Sequence, residues 1–424
     1  MSRRSIELDD RLSNDQKTFT LRRTRRGSHE AVTLSKRKVW NKAMAIERVR
    51  QIIGTDTPLD LATFDKKELL LGRVLGRGSF SVVEEITSIC FLANSSSITS
   101  QHREELRLKE EERNFLAQHC LRSSGIGRPS PRYALKRLQT NGDWNGVADL
   151  VIESHFLRRL QHPNLIKIRA VSVGDAFHLG FFLVLDRLYC TLQTKLRQWK
   201  RDERNLWNCR RSSNMGERLI AAYHLGSALQ YLHEQRICHR DIKPENCGFD
   251  IRGDIKIFDL GLAREMRNSN ADGTYNLSHM TGTLRFMAPE VFQEGKSYNE
   301  LCDVYSFAIL LWQMIVLEQP FRHMNDEQTF VKIVFEKHGR PELAKVHPPR
   351  CQALLKKAWH AIPNERPSMS EVCSDLRRMT MEIEFGESGD FETASRRSTF
   401  IYDETENGNI MENLSDGSSK KSVK

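Results

Sequence analysis

Cys238-His239-Arg240-Asp241-Ile242-Lys243-Pro244-Glu245-Asn246-Cys247-Gly248-Phe249-Asp250 decides the reading of this chain. Its polar groups are spaced irregularly between two apolar runs, and no packing need explains that. Before it, Leu219, Ala222, Leu225, Leu229 and Leu232 recur at the three-to-four spacing of a helix buried along one face. After it, Ile255 to Phe258 is short enough for a buried strand. Asn246 follows Asp241 at five residues and Asp259 at eighteen, in Asp259-Leu260-Gly261. Taken singly, each of these polar residues reads as a surface charge. Their joint placement between two buried elements reads as a site.

This spacing resembles the catalytic loop and metal-binding segment of the protein-kinase family. The resemblance implies an α+β fold of two lobes: a small, mostly antiparallel β lobe with one main helix, and a larger, mostly helical lobe. It also implies ATP as cofactor with Mg²⁺, Mn²⁺ being the alternative, and protein hydroxyls as substrates. Phosphoryl transfer asks a protein mainly to position the reactants and neutralise charge. By resemblance Asp241 orients the substrate hydroxyl and accepts its proton, while Asn246 and Asp259 supply the hard oxygens that Mg²⁺ prefers. Lys243, in Asp-x-Lys-x-x-Asn, has the form typical of serine/threonine kinases.

Working outward, Leu75-Gly76-Arg77-Gly78-Ser79-Phe80-Ser81-Val82-Val83 reads as strand, glycine turn and strand. Glycines such as Gly76 and Gly78 let the backbone pass close over phosphates. In the family Val83 packs on the adenine ring. Tyr133-Ala134-Leu135-Lys136 resembles the strand whose Ala134 borders the nucleotide and whose Lys136 contacts the α- and β-phosphates. Glu153, seventeen residues on, falls where the family's helical Glu pairs with that Lys. Such a pair gates activity, because it forms only when the helix swings in. Phe181 to Leu185 leads into Asp186-Arg187-Leu188, which resembles the hinge. Leu185 would be the gatekeeper, with Asp186 and Leu188 on the adenine. Gly282-Thr283 sits where such kinases place the hydroxyl that bridges the catalytic Asp and Lys. Met287-Ala288-Pro289-Glu290 closes the activation segment. Glu290 is expected to pair with Arg366, and Asp303 to hold the catalytic-loop backbone. Ala358-Trp359 resembles the tyrosine-kinase-like group.

The 424 residues suffice for one such domain plus tails. The domain is expected over residues 64–382, with a basic, largely disordered region at 1–63 and a disordered tail at 383–424. The net charge of +10 is concentrated at the N-terminus, where 14 basic and 6 acidic residues precede position 51. Arg22-Arg23 and Lys36-Arg37-Lys38 resemble a bipartite nuclear-import signal, although basic tails produce such matches often. Localisation is therefore expected to be cytoplasmic, with the nucleus as the alternative. The nine cysteines form no Cys-x-x-Cys pair, which argues against a zinc site or disulfide framework and for a reduced compartment. Phe307 to Leu317 is too short to span a bilayer, so no membrane span is expected. The basic cluster with Trp199 and Trp207, between Lys195 and Arg211, reads as a solvated helix face and loop rather than a nucleic-acid patch. Oligomeric state is left open. Residues 39–53 read as an amphipathic helix packed on the small lobe.

Lys136 lies sixty residues after Gly76, so an insertion of about 90–131 must separate two adjacent strands. A variable surface loop is the preferred reading, with Arg103 to Gln118 as a candidate helix. Three positions depart from the family pattern: Ser81 for Gly, Leu260 for Phe, and Gly248 where an apolar side chain usually floors the adenine. A missing Leu-sized contact would cost about 1.5 to 3 kcal/mol unless a neighbour such as Phe249 fills the space. The alternative function is hence a pseudokinase scaffold. Ser278 and Thr281, with Thr274 and Tyr275 behind them, are the candidate phosphoacceptors whose phosphate Arg240 would receive. Glu245 matches a position that reads a substrate Arg, and Ser28 and Thr399 follow paired arginines in the two tails.

Overall fold

The computed structural model describes residues 42–52, 61–78, 80–91, 103–122, 130–139, 143–206, 214–324 and 326–385. Contacts divide the chain into residues 1–44 and 45–424, and every described strand and helix from position 45 onward belongs to the second unit. The two paired-arginine sites, the import-like clusters, Ser79 and Trp207 lie outside the described residues.

A six-stranded sheet runs in the order β1-β7-β8-β6-β3-β2. Its strands are β1 (Ala62–Phe64), β2 (Leu69–Arg77), β3 (Ser81–Ile89), β6 (Tyr133–Leu138), β7 (Ile168–Ser172) and β8 (Phe182–Asp186). All neighbours are antiparallel except β1 and β7. Side chains alternate between faces with period two. On β6, Tyr133 and Leu135 therefore join one apolar cluster while Lys136 points to the opposite face. That opposite face is covered by α3 (Trp144–Arg159), whose N-cap Asp143 accepts from the Gly146 amide. Before it, α1 (residues 42–52) buries Ala45 and Val49 in the same core cluster as α3. The fold thus takes in residues ahead of position 64, where the domain was expected to begin.

The insertion differs from the expected surface loop. Its Glu, Lys and Arg favour helix strongly, and α2 (Arg103–Gln118) forms and lies on the sheet face turned away from α3. Leu116 and Cys120 are buried there with Phe64, Ile86 and Leu135. Arg113 fixes the helix: its guanidinium stacks 4.7 Å over Phe64 and pairs with Glu68 at 2.7 Å. Beyond α2, a two-stranded pair of β4 (Leu121–Arg122) and β5 (Ser130–Pro131) leads back into β6.

The second half is mainly helical. It includes α4 (Leu192–Leu206), α5 (Met215–Glu234), α6 (Pro289–Phe292), α7 (Leu301–Val316), α8 (Glu327–Phe330), α9 (Pro349–Ala358) and α10 (Met369–Phe385). Helix α7 is mainly apolar on every side and almost wholly buried, Asp303, Ser306 and Gln313 included. Short strands β9 (Cys190–Thr191), β11 (Cys247–Phe249) and β12 (Ile255–Ile257) form one small sheet. Strands β10 (Ile237–Cys238) and β13 (Arg264–Glu265) form another. Between these two small sheets lies the loop from His239 to Asn246. Trp199 is buried against Phe249, ring centroids 6.2 Å apart, so it belongs to the core rather than to a solvated face. No helix of the described residues is long and apolar enough to cross a membrane.

Candidate active site

The loop from His239 to Asn246 is held from below by α7. Asp303, in its first turn, accepts the amides of His239 and Arg240 at 2.8 Å each and faces His233 Nε2 at 3.1 Å. Burial alone would raise the Asp303 carboxyl; His233 and His239 hold it below its ordinary value. This anchorage supports Arg240 in a left-handed backbone conformation (φ 70°), unusual for a residue with a side chain.

Above that anchor the Asp241 carboxylate is fully surrounded. Thr283 Oγ1 donates to Oδ1 at 2.7 Å, while Lys243 Nζ and Asn246 Nδ2 donate to Oδ2 at 2.7 and 2.8 Å. Lys243 also reaches Thr283 Oγ1 at 2.7 Å. The close approach depends on Gly282: at φ 105°, a Cβ there would lie 2.3 Å from the Arg240 carbonyl oxygen. A glycine is required because both the backbone angle and the space forbid a side chain.

Opposite, Lys136 Nζ donates to Glu153 Oε2 at 2.6 Å and to Asp259 Oδ1 at 3.1 Å. Burial would depress the lysine, but Asp259 and Glu153 together raise it, so it stays charged. Burial raises Glu153 to about 7 in spite of Lys136. The two directions pull apart because the lysine has two carboxylates and Glu153 shares it, with its own Oε1 buried and without a hydrogen-bond partner. Lys136 holds Asp259 below its ordinary value, so that carboxylate is charged, as a metal ligand must be. Asp259 too has a left-handed backbone, φ 66°.

Between the two groups opens a cleft of about 710 Å³. Gly76, Gly78 and Val83 border it from β2, the turn after it and β3, Ala134 from β6, and Leu185, Asp186 and Leu188 from the segment joining the lobes. Lys136, Lys243, Asn246 and Asp259 complete its inner end, while Asp241 lines an adjoining pocket of about 310 Å³. Every catalytic, nucleotide and metal residue singled out from the sequence therefore borders one connected region. Asn246 commits its amide nitrogen to Asp241, which leaves its oxygen as the ligand atom beside the Asp259 carboxylate. This donor set fits a small hard cation. A second close group of the described residues, Cys238, Cys302 and Asp303, is wholly buried; burial raises both thiols, and Asp303 is committed to the loop.

Gly248 is explained differently from expectation. Phe249 turns away onto Trp199, and the floor is closed by Leu188 and Phe258. A Cβ at Gly248 would meet the Cys190 carbonyl oxygen at 2.9 Å, Leu188 Cδ1 at 3.0 Å and Phe258 Cε1 at 3.3 Å. The space of the missing side chain is taken by its neighbours. Phe258 was not foreseen, although its place next to Asp259 was the available signal. Two further residues went unnoticed because nothing local marks them. Arg264 on β13 is held down to about 8 by burial, with Arg240 and Arg48 adding to the effect. Arg48 on α1 pairs with Asp149 of α3 at 2.8 Å.

The expected structural pair is also present: Arg366 meets Glu290 through two bonds of 2.6 and 2.9 Å. In the activation segment, Arg240 donates to Ser278 Oγ at 2.8 Å and to Tyr298 Oη at 3.1 Å.

Comparison with known proteins gives the same outline. The chain is similar to the serine/threonine-protein kinase STY17 of Arabidopsis thaliana, 34% identical over 39% of this chain and 28% of the relative. It is similar to the serine/threonine-protein kinase CTR1 of the same plant, 30% identical over 54% of this chain and 26% of the relative. It is also similar to mitogen-activated protein kinase kinase kinase 7 of Drosophila melanogaster, 28% identical over 55% and 32%. The chain spans at most about a third of the length of these relatives. The pattern that defines the protein kinase domain matches residues 128–376, more than half of the chain, beginning beyond the glycine hairpin that the structure adds to the same cleft. By that match, and by a cleft in which the catalytic loop faces Lys136 and Asp259, this chain belongs to the protein kinase domain family.

Proposed function

We propose that the chain is an ATP-dependent protein serine/threonine kinase that transfers the γ-phosphoryl group to protein hydroxyls. One observation carries the proposal: Lys136 bonded to Glu153 and Asp259 coexists with Asp241 bonded to Lys243 and Thr283. Both halves of the machinery are assembled in one conformation. Lys136 neutralises the non-transferred phosphates, and Glu153 keeps it there. Asp241 orients the substrate hydroxyl and takes its proton, and Lys243 stabilises charge at the same point. Mg²⁺, or Mn²⁺, held by Asn246 and Asp259 would supply further charge neutralisation. The names of the relatives support Ser/Thr specificity. The filled floor at Gly248 removes the main reason to favour a pseudokinase scaffold. The test is transfer from labelled ATP with Mg²⁺ to a generic protein substrate. Wild type should exceed Asp259→Ala by about a hundredfold or more, and equal rates overturn the proposal.

Activation by phosphorylation belongs to the same reading. A phosphate at Ser278 or Thr281 would meet Arg240 and the charge-crowded Arg264 and order the segment. Unchanged turnover after complete dephosphorylation at both positions refutes it. Glu245 is exposed at the cleft, which suits a substrate arginine. Ser28 and Thr399 are the sites in this chain that such a preference would select.

A further inference from the structure

Behind the hinge, on the side away from the nucleotide cleft, lies a second cavity of about 770 Å³. It opens between the end of α3, the residues that follow it, β7 and the turn between β11 and β12. Six Arg and two Lys line it against two Asp, a formal excess of six positive charges. Some of this is answered within the wall. Asp186 takes Arg169 through bonds of 2.6 and 2.8 Å, and Asp250 faces Lys256 at 3.3 Å. Arg187 is buried, pairs with Glu85 at 3.4 Å and still has an Nε without a hydrogen-bond partner. Arg132 and Lys167 are exposed on the rim with no ion pair among the described residues. Between the cations the lining is apolar, including Leu157, Leu160 and Ile251. The wall therefore asks for an anionic segment that also carries apolar side chains.

The chain itself contains one. Between Arg397 and Lys420 there is no Arg or Lys, while Asp403, Glu404, Glu406, Glu412 and Asp416 alternate with apolar residues such as Ile401, Tyr402 and Leu414. From Phe385, where α10 ends, the fifteen residues before Ile401 reach up to roughly 50 Å when extended, which sets the span the segment can cover. Tethering also supplies an effective concentration in the millimolar range. We propose that the acidic segment 401–416 docks, within the same chain, into this basic cavity behind the hinge. Asp186, Leu188 and Tyr189 line both this cavity and the nucleotide cleft, so the docked segment bears on the hinge from behind. The proposal stands on charge and cavity and leaves the phosphoryl-transfer reading untouched if it fails.

The experiment uses the full chain and a zero-length carbodiimide, which joins a lysine amine to a carboxylate in direct contact. Peptide mass spectrometry should find Lys167 linked to Asp403, Glu404 or Glu406. The link should fall about fivefold or more in Arg132→Glu and vanish when the three carboxylates become amides, with thermal unfolding unchanged in both variants. Raising salt from about 0.05 to 0.5 M should weaken it in wild type. Absence of any link at Lys167 overturns the proposal. So do links from residues 401–416 to Lys36 or Lys38 in place of Lys167, since the basic N-terminal region is the competing cation. Links found only between chains of different isotope label overturn the intramolecular claim.

Discussion

The two faces of the main sheet are covered by two helices that do opposite things. Helix α3 presses a charged residue, Glu153, into a core where Lys136 must meet it, and leaves one carboxylate oxygen without a partner. Helix α2 covers the other face with Leu116 and Cys120 and keeps its ion pair, Arg113 with Glu68, beside an aromatic ring. The first face pays in desolvation for a chemical arrangement; the second has no chemical group to hold and is built for cohesion. The difference separates what stabilises this lobe from what makes it act.

Breaking each face in turn tests that separation. Lys136→Ala should abolish measurable transfer and also destabilise the fold by about 1 to 3 kcal/mol at neutral pH, because it leaves the buried Glu153 carboxyl without its hydrogen-bond partner. Chemical denaturation and a transfer assay on the same sample read both effects. Leu116→Ala should cost about 2 to 5 kcal/mol through its cavity, yet leave the activity per folded molecule unchanged. If that substitution lowers turnover of folded protein, α2 is coupled to the site and the contrast is lost.

The pH profile sharpens the comparison further. The Lys136–Glu153 pair needs an ionised Glu153, and burial raises that carboxyl to about 7. Activity should therefore drop as pH falls below 7, by roughly tenfold per unit once protonation dominates. Stability should move the other way. With the folded value above the ordinary 4.5, this group's contribution is fully present below pH 4.5 and is lost as pH rises to about 7. Glu153→Gln should remove both slopes. The smallest effect is expected at Arg48→Ala. Its ion pair with Asp149 is about a third exposed, so its loss should cost at most about 1 kcal/mol of stability. A much larger fall in turnover would show that α1 positions α3.

Much of the site was legible because phosphoryl transfer fixes residue types at short sequence spacings. Asp241, Lys243 and Asn246 lie within one loop, and Asp259 follows directly after the β11–β12 pair, so local chain geometry already places them near one another. Lys136 and Glu153 were legible for a related reason: the strand and helix that carry them are consecutive elements. The insertion was misread because a charged run such as Arg103 to Gln118 specifies helix, while the residues that decide where it packs, among them Arg113, Leu116 and Cys120, meet partners far away in sequence. At Gly248 the sequence allowed for a neighbour to fill the space but offered Phe249, which packs on Trp199 instead. Phe258 reaches it from beside the paired strand β12 and Leu188 from the hinge, sixty residues earlier.

By its resemblance to the protein-kinase family the sequence already implied the catalytic loop, the lysine–glutamate pairing and the two-lobed order of elements, because the motifs that carry that resemblance are short and closely spaced along the chain. Only the tertiary structure decided that α2 roofs the sheet, that Arg48 reaches Asp149 and that eight cations gather behind the hinge. These depend on through-space meetings of residues far apart in sequence, where burial and charge rather than spacing select the partner.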